Sequence, residues 1–101
     1  MTKEKLKSVF ARYQALCLTK NPNCIPVQMD EANTKYFRLG IKKEIVSNHL
    51  LFMCVEGQKL VDEGRVEKAM RWLGFLQGVL WANSWFCLDE LKNHSRPDKN
   101  D

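Results

Sequence analysis

The sequence predicts an all-α protein, a small helical bundle built on an antiparallel αα-hairpin. In the segment 72–82 only Gln77 is strongly polar, so a helix formed there is too apolar to face water. At about 16 Å it is also too short to span a bilayer. Gly64 separates it by one short turn from another long apolar helix, as in an αα-hairpin. We expect the helix through 72–82 to be buried on at least two sides, in part by a second copy of the chain.

Composition predicts one soluble domain, residues 1–97, followed by a polar tail, 98–101. Of the 101 residues, 45% are hydrophobic and 28% are charged, which is ordinary for globular proteins. A chain of this length can bury a core without disulfides or metals. Because no apolar run resembles a secretory signal or a membrane span, we expect a cytosolic protein that does not bind membranes.

The first predicted helix covers residues 3–19, with Thr2 as its N-cap. Pro22 and Pro26 exclude a regular helix in the loop that follows. The apolar residues of this helix recur at the spacing of one buried face: Leu6, Val9, Phe10, Tyr13, Leu16 and Cys17.

A second helix is expected to begin near residue 30, capped by Asp30 or Asn33. It would include the apolar side chains Tyr36, Phe37 and Leu39. Gly40 either breaks this helix or is tolerated inside it at a cost of about 1 kcal/mol. We favour a continuous or kinked helix from about 30 to 63.

The hairpin is predicted to join helices at about 41–63 and 65–83, with Gly64 as the glycine that ends the first of them. Three small residues, Gly74, Gly78 and Ala82, follow one another at every fourth position of the second helix. They form a line along which another helix could pack closely. The side chains of that helix expected to point inward are Val66, Ala69, Met70, Leu73, Leu76 and Leu80.

A short C-terminal helix is predicted at roughly 88–94, after a turn at Asn83 and Ser84. Cys87 and Glu90 have the spacing of a capping box, in which the carboxylate at the third helical position binds the N-cap backbone. Cysteine stands where serine or threonine is usual, so the N-cap side chain itself is a weak acceptor.

No catalytic, metal-binding or cofactor-binding set is predicted. The cysteines at 17, 24, 54 and 87 lack the paired spacing of zinc ligands and are expected to be free thiols. Cys54 and His49 lie five residues apart, on different faces of a helix. We expect His49 to be a packing residue and His94 to complement the dipole at the end of the last helix.

Aromatic residues are concentrated in the final third of the chain. The core of a small monomer cannot bury all of them. We therefore predict an oligomer or partner interface there. Its expected residues are Trp72, Gly74, Phe75, Gly78, Val79, Trp81 and Trp85.

Positive charge is concentrated in the N-terminal part of the chain. The net charge is +4 overall, +6 for residues 1–43 and −2 for residues 44–101. This asymmetry fits an anionic partner, head-to-tail contact between copies, or an ordinary solvated surface. The basic surface would comprise Lys3, Lys5, Lys7, Arg12, Lys35, Arg38, Lys42 and Lys43.

Two motifs resemble a known class of proteins. Residues 68–81, KAMRWLGFLQGVLW, followed by residues 88–94, LDELKNH, resemble the C-terminal signature of small accessory proteins encoded by tailed phages and prophages. The resemblance covers about residues 65–97. It implies a small helical oligomer that binds host factors in the host cytosol, rather than an enzyme.

Together these patterns favour a non-catalytic binding protein that self-associates through its aromatic helix and acts on a host or phage protein. The alternative is a basic helical protein that binds nucleic acid or nucleotides. Against that alternative, the chain has no recognisable nucleic-acid-reading motif, and its pI of about 9.0 is only moderately basic.

Overall fold

The computed structural model describes residues 1–29 and 40–96. These residues form four helices: α1 (Lys3–Lys20), α2 (Lys43–Asp62), α3 (Val66–Ala82) and α4 (Leu88–Ser95). No strand occurs within the two described ranges. The predicted all-α bundle is therefore confirmed.

Helix α1 forms as its sequence predicts. The Thr2 hydroxyl accepts a hydrogen bond from the Lys5 backbone N–H at 3.0 Å, which caps the first turn. The side chains Leu6, Val9 and Phe10, with Tyr13 and Cys17 further along, are buried as one stripe. The helix ends at Lys20, directly before Asn21 and Pro22.

α1 runs antiparallel to α2 and buries its stripe against it. Lys7 binds the Asp62 carboxylate at 2.8 Å near one end of the pair. Near the other end, the Cys24 thiol donates to the Ser47 carbonyl at 3.0 Å. Between these points the ring of Phe10 lies directly against Gly57, so this glycine lets the two helices approach closely.

The α2–α3 hairpin is built on the turn predicted at Gly64. Gly64 has a φ of +80°, a conformation that glycine adopts without steric cost. Its N–H donates to the Val61 carbonyl at 3.0 Å, and the Arg65 N–H donates to the Leu60 carbonyl at 2.8 Å. This pair of bonds is a Schellman motif, and it sends α3 back along α2.

The prediction of a continuous or kinked helix from about 30 to 63 is wrong near residue 40. Gly40 has a φ of +83°, which a right-handed helix cannot contain. Helix α2 begins only at Lys43. The caps expected at Asp30 and Asn33 lie outside the described residues, as do Tyr36, Phe37 and Leu39, Pro97 and the tail 98–101.

α4 docks on the bundle through two buried side chains, Leu91 and His94. The Glu90 carboxylate accepts a hydrogen bond from the Cys87 backbone N–H at 3.0 Å, which confirms this half of the predicted capping box. That hydrogen bond also holds the pKa of Glu90 below its usual value.

The turn between α3 and α4 repeats the Schellman pattern with a less suitable residue. The N–H of Trp85 donates to the Leu80 carbonyl at 2.9 Å, and that of Ser84 donates to the Trp81 carbonyl at 3.0 Å. Here the residue with left-handed backbone conformation is Ser84, whose φ is +63°. A side chain in this conformation costs about 1–2 kcal/mol.

We therefore expect Ser84→Gly to raise the free energy of unfolding by about 1 kcal/mol, as measured by urea denaturation. The matched control is Gly64→Ser at the other turn, which should lower it by a similar amount. Equal stability of wild type and Ser84→Gly would contradict the assignment of strain to this turn.

Candidate functional site

Helix α3 buries one stripe and exposes the opposite side. Ala69, Leu73, Leu76 and Leu80 are buried, in agreement with the prediction. Met70, which was also expected to point inward, is 48% exposed. The expectation that α3 is buried on at least two sides is therefore not met within a single chain.

The exposed side of α3 is apolar and carries two open glycines. Phe75 is 54% exposed and Trp81 is 59% exposed. A Cβ atom added at Gly74 or Gly78 would meet no described residue within 4 Å. We call these four residues, Gly74, Phe75, Gly78 and Trp81, the outer face of α3.

Among the described residues nothing packs closely on Gly74 or Gly78, and Ala82 is exposed, so the predicted close packing along this line is not found there. The glycine that another helix does approach is Gly57, which the sequence pattern did not single out. No described residue makes a close contact with the glycines of the outer face of α3.

The segment that forms most of this exposed side contains no charged residue, and the cations beside it, Arg71 of α3 and Lys92 and Arg96, flank it. From Trp72 to Leu88 the sequence contains no charged residue, although the chain as a whole carries a net charge of +4. A large exposed apolar surface without charge is typical of interaction sites rather than of solvated helices.

Two of the predicted interface residues lie beside the outer face, towards α2. Trp72 and Val79 are half-buried, and the Trp72 ring lies 6.3 Å from that of Phe52, measured between centroids. The Phe75 ring lies 6.3 Å from that of His49, edge to face. We call the group Trp72, Phe75, Val79, Phe52 and His49 the aromatic side of α3.

Trp85, the remaining predicted interface residue, lies elsewhere. It follows the turn after α3, is half-buried, and has the Lys20 ammonium 4.9 Å above its ring. Sequence proximity placed it with the other aromatics, but the reversal of the chain at Ser84 separates it from them.

On its other side, α3 faces α4 across a groove of about 700 Å³. Each helix contributes residues spaced three or four apart, as two helices do when they flank a channel. We call this the α3–α4 groove. Its lining consists of Gly74, Gln77, Gly78, Trp81, Leu88, Leu91, Lys92, Ser95 and Arg96.

At the groove, a hydrogen-bond network that runs from the half-buried Gln77 and Ser95 to the buried Tyr13 and His94 joins three helices. The Gln77 amide donates to the Tyr13 hydroxyl at 3.1 Å and to the Ser95 hydroxyl at 2.8 Å. The Tyr13 hydroxyl lies 2.7 Å from Nδ1 of His94. Because its oxygen already accepts from Gln77, we infer that Tyr13 donates its hydrogen to His94.

This network overturns the predicted role of His94. The side chain was expected to complement the dipole at the end of α4, but it is only 8% exposed and its ring bonds to Tyr13. Burial lowers the pKa of His94, and the cation of Arg12 lowers it further, against the opposing effect of Glu90. The histidine therefore favours the neutral form.

His49 acts as a packing residue, as expected. Its Nδ1 accepts a hydrogen bond from the Met29 backbone N–H at 3.2 Å, and its ring stacks on Phe52 with centroids 6.2 Å apart. Its ring contacts with Phe52 and Phe75 place it on the aromatic side of α3.

The four cysteines are free thiols, three of them buried and Cys87 exposed. A hydrogen bond with the Cys17 thiol, together with burial, raises the pKa of Cys54 far above its usual value. Cys54 is therefore poorly suited to act as a nucleophile. Within residues 1–29 and 40–96, no three metal-binding side chains converge.

The predicted basic residues do not form one surface. On α1, Lys7 faces Asp62 of α2, whereas Lys5 and Arg12 lie on the other flank, near His94 of α4. Lys3 lies one helical turn before Lys7, on the same flank of α1 as Lys7. Lys35 and Arg38 are outside the described residues.

Lys42 and Lys43 mark the start of α2, at the opposite end of that helix from Asp62 and its partner Lys7. Helical rise places the two ends on the order of 30 Å apart. The basic side chains are thus distributed over both ends and two flanks of the bundle.

Comparison of the chain with protein-family models, with curated proteins and with solved structures gave no match. No helix in the described part of the chain is long and apolar enough to cross a membrane.

Proposed function

We propose that this chain is a non-catalytic protein-binding module that self-associates through the aromatic side of α3. The observation that carries the proposal is the exposed apolar surface around Phe75, which is 54% exposed beside two glycines with open space above them. Covering such a surface with another protein is favourable because apolar area leaves water.

A second copy is the occupant that the charge distribution favours. Two chains that each carry +4 repel one another wherever their cations meet. The segment from Trp72 to Leu88 contributes no charge of its own, and the cations beside the aromatic side, Lys68 above the Trp72 ring and Arg71, lie at its Trp72 end. A contact centred on Phe75 and Val79 therefore buries no cation of this segment.

The biological setting that we propose is that of a small accessory protein of a tailed phage or prophage, acting in the host cytosol on a host or phage protein. The motif of residues 68–81 and 88–94 supports this setting. Nucleic-acid binding is less well supported, because the basic side chains are dispersed and Lys7 is paired with Asp62.

Self-association can be tested by light scattering across a range of micromolar concentrations. We expect the wild type to exceed the mass of the 11.8 kDa chain and Phe75→Glu to remain a monomer, because a carboxylate would then be buried in the interface. As a matched control, Leu18→Glu on α1, where the leucine is 40% exposed, should associate like the wild type. A monomeric wild type, or association that survives Phe75→Glu, would contradict the proposal.

A further inference from the structure

The α3–α4 groove has the shape of a site for one additional helix. α3 lines it with Gly74, Gln77, Gly78 and Trp81, which lie at i, i+3, i+4 and i+7. Residues with this spacing form one straight stripe about 10 Å long. α4 supplies the opposite wall with the same spacing, beginning at Leu88.

Most of the surface inside the groove is apolar, and its uncharged polar lining residues are Gln77 and Ser95. The glycines leave its floor without side chains. Trp81, 59% exposed, and Leu88, 56% exposed, form its walls. Leu91 is buried beneath them. A partner that inserts leucine-type side chains would transfer all of this surface out of water.

The rim of the groove is positively charged. Its charged lining residues are Lys92 and Arg96, one helical turn apart, and no acidic residue lines it within residues 1–29 and 40–96. Neither cation forms an ion pair with another described residue. An occupant that carries carboxylates one turn apart would match both cations.

We propose that the α3–α4 groove binds an amphipathic helix of a different protein, with leucine-type residues facing the glycine floor and two acidic residues facing Lys92 and Arg96. This proposal rests on the proposed function as a protein-binding module and names the chemistry of the partner. A second copy is a poorer occupant, because no described helix of this chain carries two acidic residues three or four positions apart.

The test uses a fluorescently labelled helical peptide of about 15 residues, with a leucine stripe and two glutamates one turn apart on its flank. The control peptide has lysines in place of both glutamates. We expect the wild-type protein to bind the acidic peptide about tenfold more tightly, as measured by anisotropy at low salt.

Three protein variants make the test specific. The double variant Lys92→Glu and Arg96→Glu should reverse the preference, so that the lysine peptide binds about tenfold more tightly. Gly78→Leu should fill the floor and abolish binding of the acidic peptide while the chain stays folded, since no described residue packs within 4 Å of a Cβ at that position. Phe75→Glu, outside the groove, should bind the peptide like the wild type.

Equal affinity for the two peptides, no binding of the acidic peptide, or a preference that the double variant leaves unchanged would overturn this proposal. If the groove instead held a second copy, Gly78→Leu would abolish self-association and Phe75→Glu would not. A monomeric wild type that still selects the acidic peptide would refute self-association and leave the groove proposal intact.

Discussion

Gly57→Ala is expected to destabilise the protein by about 1–3 kcal/mol, a larger effect than its single added methyl group suggests. An ideal Cβ at this position would lie within 2.6 Å of the Phe10 ring. Phe10 is fully buried and cannot move outward without separating α1 from α2. The loss should exceed the gain of about 1 kcal/mol that alanine brings to a helix interior, and urea denaturation measures the difference.

The matched controls for Gly57→Ala are Gly74→Ala and Gly78→Ala on α3. Nothing lies within 4 Å of a Cβ at either position, so alanine should raise the free energy of unfolding by up to about 1 kcal/mol. These measurements require a dilute protein, in which self-association makes no contribution. A Gly57→Ala protein as stable as the wild type would contradict the close α1–α2 crossing.

A second large effect is expected when His94 is replaced by leucine. The hydroxyl of Tyr13 would lose the acceptor for its hydrogen in a buried site, which costs about 1–3 kcal/mol. Because His94 and Leu91 are the buried side chains of α4, that helix should also exchange its amide hydrogens faster.

The same histidine predicts how stability depends on pH. Burial lowers the pKa of His94 in the folded chain, so the unfolded chain binds its proton more readily. The free energy of unfolding should therefore fall as the pH drops through about 6.5, the ordinary pKa of histidine. Protonation would also turn Nδ1 into a donor directed at the Tyr13 hydrogen.

Thermal unfolding at about pH 7.5 and about pH 5.5 measures this dependence. His94→Leu should have a smaller difference between the two melting temperatures than the wild type has. If His94→Leu kept the full difference, the buried network would not be its source.

Most of the helical architecture could be predicted because its signals are local. The residues that cap or end the helices form hydrogen bonds within a few positions of their own: Thr2, Gly64, Cys87 and Glu90. Each helix boundary that depends on them is confirmed. The exception, Gly40, illustrates the limit. A glycine inside a periodic apolar pattern is compatible with a helix, and only its backbone conformation decides the matter.

The packing of glycines could not be predicted, because it depends on which helices meet. Gly74 and Gly78 have the more regular spacing, yet they face outward. Gly57 stands alone in its helix and faces Phe10, more than forty positions earlier in the chain. Sequence spacing identifies helix faces but not the partner of each face.

The candidate site was predicted in part for the same reason. Helical spacing correctly grouped Trp72 with Phe75 and Val79, whereas Trp85 was included only by proximity in sequence. The network of Tyr13, His94 and Gln77 was missed, although Gln77 offered a signal. A single strongly polar residue in an apolar run has to find hydrogen-bond partners when it is buried.

Side-chain footprinting of the unmodified protein tests most directly whether the aromatic side of α3 is an interface. Radical labelling followed by mass spectrometry measures the exposure of each side chain at low and at high protein concentration. We expect labelling of Phe75 to fall as concentration rises, while labelling of Leu18 and Ile25, which are exposed elsewhere, stays constant. Labelling of Phe75 that is the same at every concentration would contradict the account.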